Sequence, residues 1–431
     1  MVKSKVETLD VRMNGLLVGN LTYFANDSLF FVYHKDWLQT PGARPLSLSL
    51  PLRVRPYTGS VVFNFFDNLL PDNESIRGRI LRRFQISENH PFFLLNAIGH
   101  DCVGALQICD PAFSANPKSM QYSELSEKDV AHILRSCEQS PLGMLPENTD
   151  FRVSLAGAQE KTALLFQNNR WYLPQASTPT THILKLPIGV VAQNQIELSN
   201  SCENEWLCLE IAREFGIPVA RSSVQIFDGT KCLVVERFDR QWSADGSWLM
   251  RLPQEDLCQA LGVPSQLKYQ ADGGPGVADC MKLLLGAQNP LVSRETFLKA
   301  LLVFWILAAP DGHAKNFSIR LNAGGRFSLS PLYDIVSFYP LAKSGIFLPK
   351  VKMAMAFLGK NNHYAWGEIQ PRHFISSAKY CGFSIVRAKE IAEEMFGKIE
   401  RVISGVQMRL PREFPEHVAN TIFDGMRKFS N

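Results

Sequence analysis

Residues 310–316 read Pro310-Asp311-Gly312-His313-Ala314-Lys315-Asn316, and Tyr333-Asp334 follows one short hairpin later. Four residues separate Asp311 from Asn316. A loop Asp can take a proton from an attacking hydroxyl, and carboxylate and amide oxygens suit a hard cation such as magnesium. Asp311 is the candidate for the first task, and Asn316 with Asp334 for the second. The run ahead of the loop, Phe297 to Ala309, is apolar nearly all round and predicts a buried helix. Ser293 is its expected N-cap, Glu295 suits its first turn and Pro310 ends it. Asn322-Ala323-Gly324-Gly325 predicts a turn between two strands, the second running from Phe327 to Leu332.

The Asp-x-x-x-x-Asn spacing is that of the protein-kinase catalytic loop, where the Asp is the base and the Asn binds metal. Phosphoryl transfer needs little covalent help. A positioner for the hydroxyl and ligands that hold magnesium on the phosphates carry most of it. The spacing alone is common, and an ordinary Asp/Asn/Gly loop satisfies it equally.

The 431 residues are enough for about two or three domains with their own cores. With 46% apolar and 20% charged residues, the composition is that of a globular protein. A net charge of +4 does not mark a dedicated nucleic-acid binder, although a local basic face fits within it. Nine cysteines are scattered without any Cys-x-x-Cys, which predicts reduced thiols rather than a disulfide framework or a zinc site. Met1 to Val6 has no apolar core of a secretion signal, and the apolar run before Pro310 falls short of the ~20 residues that span a bilayer. The expected location is the cytoplasm, with no membrane partner.

In the N-terminal region, Leu9 to Met13 and Leu16 to Leu21 flank Asn14-Gly15, a hairpin signal. Leu29 to Tyr33 reads as a strand, and Leu46 to Leu50 alternates in the manner of one. The aromatics of Phe63 to Asp72 read as core. The helix from Glu74 to Phe84 carries Arg77, Arg79, Arg82 and Arg83, a basic face expected to be solvated. Residues 111–150, with four prolines and a helix from Ser126 to Ser136, read as a connector.

From Asp150 the chain offers a strand, the small-residue turn Ala156-Gly157-Ala158-Gln159-Glu160, and a strand opening with Lys161-Thr162. Backbone N–H groups in such a turn can cradle phosphate, but only one glycine is present, and a plain hairpin fits as well. Thr181 to Pro187 reads as a strand. Its Lys185 either faces solvent or points inward to pair with phosphates. Asn204 to Phe215 is helical by pattern and ends at Gly216, and its Glu205 is a candidate partner for Lys185 or a solvated Glu. Val224 to Phe227 and Cys232 to Glu236 form a second hairpin around Asp228-Gly229, leaving through Glu236-Arg237-Phe238-Asp239-Arg240. Beyond about 245 the pattern turns helical. Helices are expected from Gln254 to Gly262, Val277 to Leu285, Pro371 to Cys381, Ile385 to Val402 and Pro415 to Phe429, and Asp272-Gly273-Gly274-Pro275-Gly276 reads as a turn.

As a set these residues resemble the HipA-type serine/threonine kinase toxins over essentially the whole chain. The resemblance is carried by Arg44-Pro45-Leu46-Ser47-Leu48-Ser49-Leu50-Pro51, Phe65-Phe66-Asp67-Asn68-Leu69-Leu70-Pro71, Ser154-Leu155-Ala156-Gly157-Ala158-Gln159-Glu160-Lys161-Thr162 and Thr181 to Pro187. Glu236 to Arg240, Arg251-Leu252-Pro253-Gln254-Glu255-Asp256 and Asp311 to Asn316 complete it. It implies an α+β, protein-kinase-like bilobal fold. Residues 1–110 would be a small α/β accessory module, 111–150 the connector, 151–245 the kinase N-lobe and 246–431 an all-helical C-lobe.

The resemblance further implies ATP and Mg2+ as cofactors and assigns roles. Asp311 takes or orients the proton of a protein serine. Asn316 and Asp334 hold magnesium. Ala156, Gly157, Ala158, Gln159, Glu160 and Lys161 form the phosphate loop, and Lys185 contacts the ATP phosphates. Glu236, Arg237 and Phe238 meet the adenine, and His313, Lys315 and Tyr333 border the nucleotide. Ser154 is the expected site of an inactivating autophosphorylation, since a phosphate beside a phosphate-binding loop opposes its ATP-bound form. The implied partners are a HipB-type helix-turn-helix antitoxin dimer, operator DNA and glutamyl-tRNA synthetase as substrate, with growth arrest as the consequence. Lys379 matches a DNA-contacting position, while Gly382 stands where the family has a basic residue. Two other readings share the Asp/Asn/Asp set: a small-molecule kinase of the aminoglycoside or lipid kind, and a pseudokinase that acts through antitoxin and DNA alone.

Overall fold

The computed structural model describes residues 6–113, 116–148, 150–191 and 196–430. Two compact units form, and they do not follow chain order. The first takes Met1–Leu186, Gln225–Gln266 and Arg320–Arg326, and the second takes Pro187–Val224, Leu267–Ile319 and Phe327–Asn431.

The first unit contains two sheets. One is five-stranded, in the order Tyr57–Thr58, Leu29–Tyr33, Leu16–Tyr23, Glu7–Met13, Leu106–Cys109. The expected first hairpin is present: Met13 pairs with Leu16, and Asn14 and Gly15 take φ of 48° and 78°, as a two-residue hairpin turn requires. Leu9, Val11 and Met13 alternate inward and join a core with Val62, Phe65 and Phe66 from the helix Ser60–Asp67.

Leu46 to Leu50 does not form the expected strand. It is a tight turn closed by a Ser47–Leu50 bridge. Its alternation has another cause. Leu46 and Leu50 are buried, while the polar groups between them are captured by specific partners. Ser47 and Ser49 hydroxyls donate to Gln259 O at 3.2 and 2.7 Å, and Leu48 N–H donates to Glu255 Oε1 at 2.9 Å. Nearby, Asn64 and Asn68 donate to Gly262 O and Val263 O at 2.8 and 2.9 Å. The motifs 44–51 and 251–256 therefore meet through Leu48 and Glu255, and the motif 65–71 reaches the chain just beyond the second through Asn68 and Val263.

The helix Glu74–Arg83 is present, but its basic face is not simply solvated. Arg77 is buried and donates to Asp67 Oδ1 and Pro71 O, each at 2.7 Å. Arg79 pairs with Glu160, and Arg83 donates to Leu145 O. The arginines tie the accessory module to the segment that leads into the lysine strand.

The second sheet of this unit runs Ser222–Phe227, Thr230–Glu236, His182–Lys185, Lys161–Gln167, Arg170–Gln175, Gln121–Leu125. Residues 111–150 thus contribute more than a connection: Gln121–Leu125 pairs along Arg170–Gln175, and the helix Glu127–Ser136 follows with a Ser126/Asp129 capping box. Residues 151–156 are irregular, so the stretch before Gly157 is not the first arm of a hairpin.

In the second unit the buried helix spans Pro290–Ile306. It begins a turn earlier than expected, with Pro290 at its first position, and Ser293 lies buried inside it rather than capping it. The helices Ser201–Glu214, Val277–Leu283, Pro371–Tyr380 and Glu416–Arg427 are present. The run from Ile385 is two helices, Ile385–Gly397 and Ile399–Gln407, broken at Lys398. This mainly helical unit also holds a hairpin of Lys352–Leu358 and Asn362–Ala365. The nine cysteines are free, eight of them buried. No helix among the described residues is long and apolar enough to cross a membrane.

Candidate active site

The residues singled out from sequence divide between the two units. In the first unit, Lys161 and Lys185 are directly opposed on antiparallel strands, so their side chains leave the same face. Each is only 7% exposed. Lys161 Nζ donates to Ala156 O at 2.9 Å, which folds the small-residue turn back over the strand. Gly157 makes this approach with φ of +103°, and a Cβ there would lie 2.5 Å from Lys161 Nζ.

The turn is braced along its length. Asp72 N–H donates to Gly157 O at 3.1 Å, and Asn73 donates to Ala158 O at 3.2 Å. Gln159 donates to Leu186 O, Leu186 N–H donates to Glu160 O at 3.1 Å, and Glu160 takes Arg79. Ser154 is fully buried. Its hydroxyl donates to Leu69 O at 2.8 Å and its N–H donates to Asp101 O at 3.0 Å.

The segment Glu236–Phe238 leaves the sheet at the end of the strand Thr230–Glu236. Glu236 is exposed, Phe238 is partly buried, and Phe238 O accepts from Arg320 at 2.9 Å. Arg237 differs from both. Its guanidinium is buried and bonded to Asp239 at 2.8 Å, Asp101 at 3.2 Å and Cys102 O at 2.9 Å, and its backbone N–H donates to Thr181 O. Any contact of Arg237 with a ligand would fall to its carbonyl. Arg240 and Arg251 also reach Asp101, at 2.8 and 2.9 Å. Burial pushes the Asp101 carboxyl upward, but Arg240, Arg251 and Arg237 outweigh it and hold the group below the usual carboxylate range. Burial and the neighbouring Arg237 bring Arg240 down to about 10.

In the second unit, the long buried helix delivers the loop. The chain leaves it through Ala308 at φ of 45°. Phe338 N–H donates to Ala308 O at 3.0 Å, Ser337 Oγ donates to Leu307 O at 2.6 Å, and Ala354 N–H donates to Pro310 O at 2.8 Å. Asp311 then stands with its side chain 51% exposed. Asn316 Nδ2 donates to Asp311 O at 2.7 Å, which fixes the amide and turns its oxygen away from that bond. An amide oxygen and a carboxylate are the donors that magnesium takes, so Asn316 and Asp334 fit the metal chemically. Asp334 holds φ of 60°, a conformation that few residues other than Gly, Asn and Asp adopt.

His313 and Lys315 are buried, and Tyr333 Oη donates to Lys315 O at 3.0 Å. Burial lowers the His313 pKa, with Asp311 opposing; its Nε2 is 3.8 Å from Asp311 Oδ1. Two contacts escaped the sequence reading. Tyr269 Oη donates to Asp311 Oδ1 at 2.6 Å. Asn204, on the helix Ser201–Glu214, exchanges two bonds of 2.8 Å with the Ser337 backbone. Glu205 on that helix is buried. Lys379 is exposed at the end of its helix, and Gly382 forms the turn beyond it with φ of +67°.

Residues 9–109 match the HipA N-terminal domain family, and residues 153–403 match the HipA-like C-terminal domain family. The chain is 35% identical over 337 residues to the putative kinase Y4mE of Sinorhizobium fredii, covering 77% of each chain. It is 28% identical over 349 residues to the serine/threonine-protein kinase toxin HipA of Shewanella oneidensis, covering 78% of this chain and 76% of that one. The fold matches HipA in the Shewanella oneidensis complex of HipA, HipB and operator DNA. There the TM-score is 0.81 at 23% identity, over 97% of each chain. The α+β kinase-like fold and the paired domain matches agree, and the chain belongs to the HipA family of serine/threonine kinase toxins.

Proposed function

We propose that this chain transfers the γ-phosphate of ATP to a serine of a protein, as the toxin of a toxin–antitoxin pair. The observation that carries this reading is the loop 311–316, where an exposed Asp311 carboxylate is paired with an Asn316 locked to the carbonyl of the same Asp311. Lys161, Lys185 and the turn at Gly157 take the phosphates. The edge segment at Glu236 and Phe238 takes the adenine. Asp311 receives the proton of the acceptor hydroxyl, and His313, Lys315 and Tyr333 shape the loop around it. Magnesium, held by Asn316 and Asp334, would neutralise charge on the phosphates.

The acceptor we propose is glutamyl-tRNA synthetase, and the restraining partner a HipB-type antitoxin that brings the kinase to operator DNA. Ser154 is proposed as a self-modified site. Its burial against Leu69 O means that the segment from 151 to 157 must leave its place before the hydroxyl can react. A phosphoserine then has no room to return, so the loop stays in a form unable to hold ATP.

Intact mass and phosphopeptide mapping after incubation with Mg·ATP test this directly, with purified glutamyl-tRNA synthetase present or absent. Wild type is expected to gain phosphate on Ser154 and to phosphorylate the synthetase, while Asp311→Gln does neither. Phosphate transfer to sugars or aminoglycosides but never to protein would replace the reading with a small-molecule kinase. ATP binding without any transfer would leave a pseudokinase.

A further inference from the structure

Tyr269 touches Asp311, yet nothing above gives it a task. Its hydroxyl lies 2.6 Å from Asp311 Oδ1, and its ring meets His313 edge-on at 5.1 Å between centroids. It stands three residues ahead of Asp272-Gly273-Gly274-Pro275-Gly276, which read from sequence only as a turn. The fold gives that turn a purpose. Asp272 N–H and Gly274 N–H both donate to Tyr269 O, at 3.1 and 3.0 Å, and Gly273 N–H donates to Gln270 O at 3.1 Å. A Cβ on Gly274 would sit 1.8 Å from Leu267 O, so only glycine lets the chain close this tightly.

The neighbours of Tyr269 are anchored as well. Gln270 Oε1 accepts from Ala356 N at 2.8 Å, and Lys268 O accepts from Ala314 N at 3.4 Å. The tyrosine is therefore held by its own turn, by the strand Lys352–Leu358 and by the catalytic loop. The anchored backbone presents the phenol to Asp311 from a fixed turn. With Oδ1 engaged and the Asp311 side chain half exposed, Oδ2 is the oxygen left for an incoming hydroxyl.

We propose that Tyr269 is a positioning residue for phosphoryl transfer: its phenol fixes the Asp311 carboxylate so that Oδ2 meets the acceptor hydroxyl. The inference rests on the kinase reading. In the step, the acceptor O–H bond breaks and its proton passes to Oδ2. The acceptor oxygen forms a bond to the γ-phosphorus, and the bond from that phosphorus to the β,γ-bridging oxygen breaks, releasing ADP. Tyr269 keeps its proton and its bond to Oδ1 throughout.

The test compares full-length wild type with Tyr269→Phe and Tyr269→Ala, using the chain itself and purified glutamyl-tRNA synthetase as acceptors. Tyr269→Phe keeps the ring against His313 and removes only the hydroxyl. It is expected to lower kcat by roughly ten- to a hundredfold, the scale of losing one hydrogen bond to a charged group. The KM for ATP, the affinity for Mg·ADP and the thermal midpoint stay at wild-type values. Tyr269→Ala is expected to lose at least as much kcat. Wild-type kcat in Tyr269→Phe overturns the proposal, as does a loss explained by a raised KM or a lowered midpoint. A wild type that transfers no phosphate to either acceptor removes the kinase reading and this inference together. Transfer by wild type and Tyr269→Phe alike removes only the inference.

Discussion

Asp101 in the first unit and Asp311 in the second are the same side chain in opposite settings. Asp101 is buried and receives Arg237, Arg240, Arg251 and both donors of Thr180. Asp311 is half exposed and receives the Tyr269 hydroxyl on one oxygen. A carboxylate surrounded by fixed cations cannot readily change its charge or its partner, so its work is to hold Arg237, Arg240 and Arg251 together. A carboxylate with one oxygen held and one open can accept a proton from something that arrives. On the proposed reading, reactivity in this chain follows the unfilled positions around a charge more than the presence of the charge.

The sharpest way to break this comparison is to remove each carboxylate in turn and measure unfolding in urea. Asp101→Ala leaves three buried guanidinium groups short of a partner and should cost about 3–5 kcal/mol. Asp311→Gln should lie within about 0.5 kcal/mol of wild type by the same measure, as exposed substitutions do. A stable Asp101→Ala protein would mean that the cluster is dispensable to the fold.

A third buried carboxyl sharpens the contrast. Glu255 is fully buried with no cation beside it among the described residues, and burial pushes its pKa from 4.5 up to about 8. Its Oε1 accepts from Leu48 N–H, while Oε2 finds no partner among the described residues. The folded state therefore favours the protonated form. Its contribution to stability is complete below the ordinary value and is lost as pH rises toward about 8. Glu255→Gln should gain stability over wild type across that window, by up to a few kcal/mol at about 1.4 kcal/mol per pH unit. Parallel stability–pH curves for the two proteins would show that Glu255 does not titrate there.

At the phosphate turn the expected effect is smaller and falls on binding as well as stability. Gly157→Ala sets a methyl against Lys161 Nζ at a φ that alanine resists, and should raise the KM for ATP by roughly tenfold and lower stability by about 1–3 kcal/mol. A wild-type KM would place the phosphates elsewhere. The least effect is expected at the exposed Lys379. Lys379→Ala should lower the salt slope of binding to operator DNA with antitoxin by about one unit or less. An unchanged slope would make Lys379 a plain surface charge.

Much of the fold was legible where the local signal and the final structure coincide. Asn14-Gly15 encodes its hairpin because the turn needs two positive φ values, and the apolar run before Pro310 can only be a buried helix. The sequence reading failed where polar groups find partners far along the chain. Leu46 to Leu50 carries a strand alternation, yet Gln259 and Glu255, more than 200 residues away, bend it into a turn. Arg77 looks like a surface charge until Asp67 and Pro71 enclose it. The candidate catalytic residues were readable because their spacing within one loop is local. Tyr269 was not, because it lies 42 positions before Asp311 and no periodicity links the two.

The sequence by itself determined the family, the kinase-like α+β architecture and the residue types available for chemistry. The family and its architecture were legible through a resemblance carried by short motifs, and the single elements through turn chemistry and hydrophobic pattern, which act over a few residues. Only the tertiary structure decided which charges are structural and which are open. Whether a carboxylate reacts or holds the fold depends on the dielectric around it and on how many donors reach it. Those quantities are set by contacts between distant segments, such as Asp101 with Arg251 and Asp311 with Tyr269.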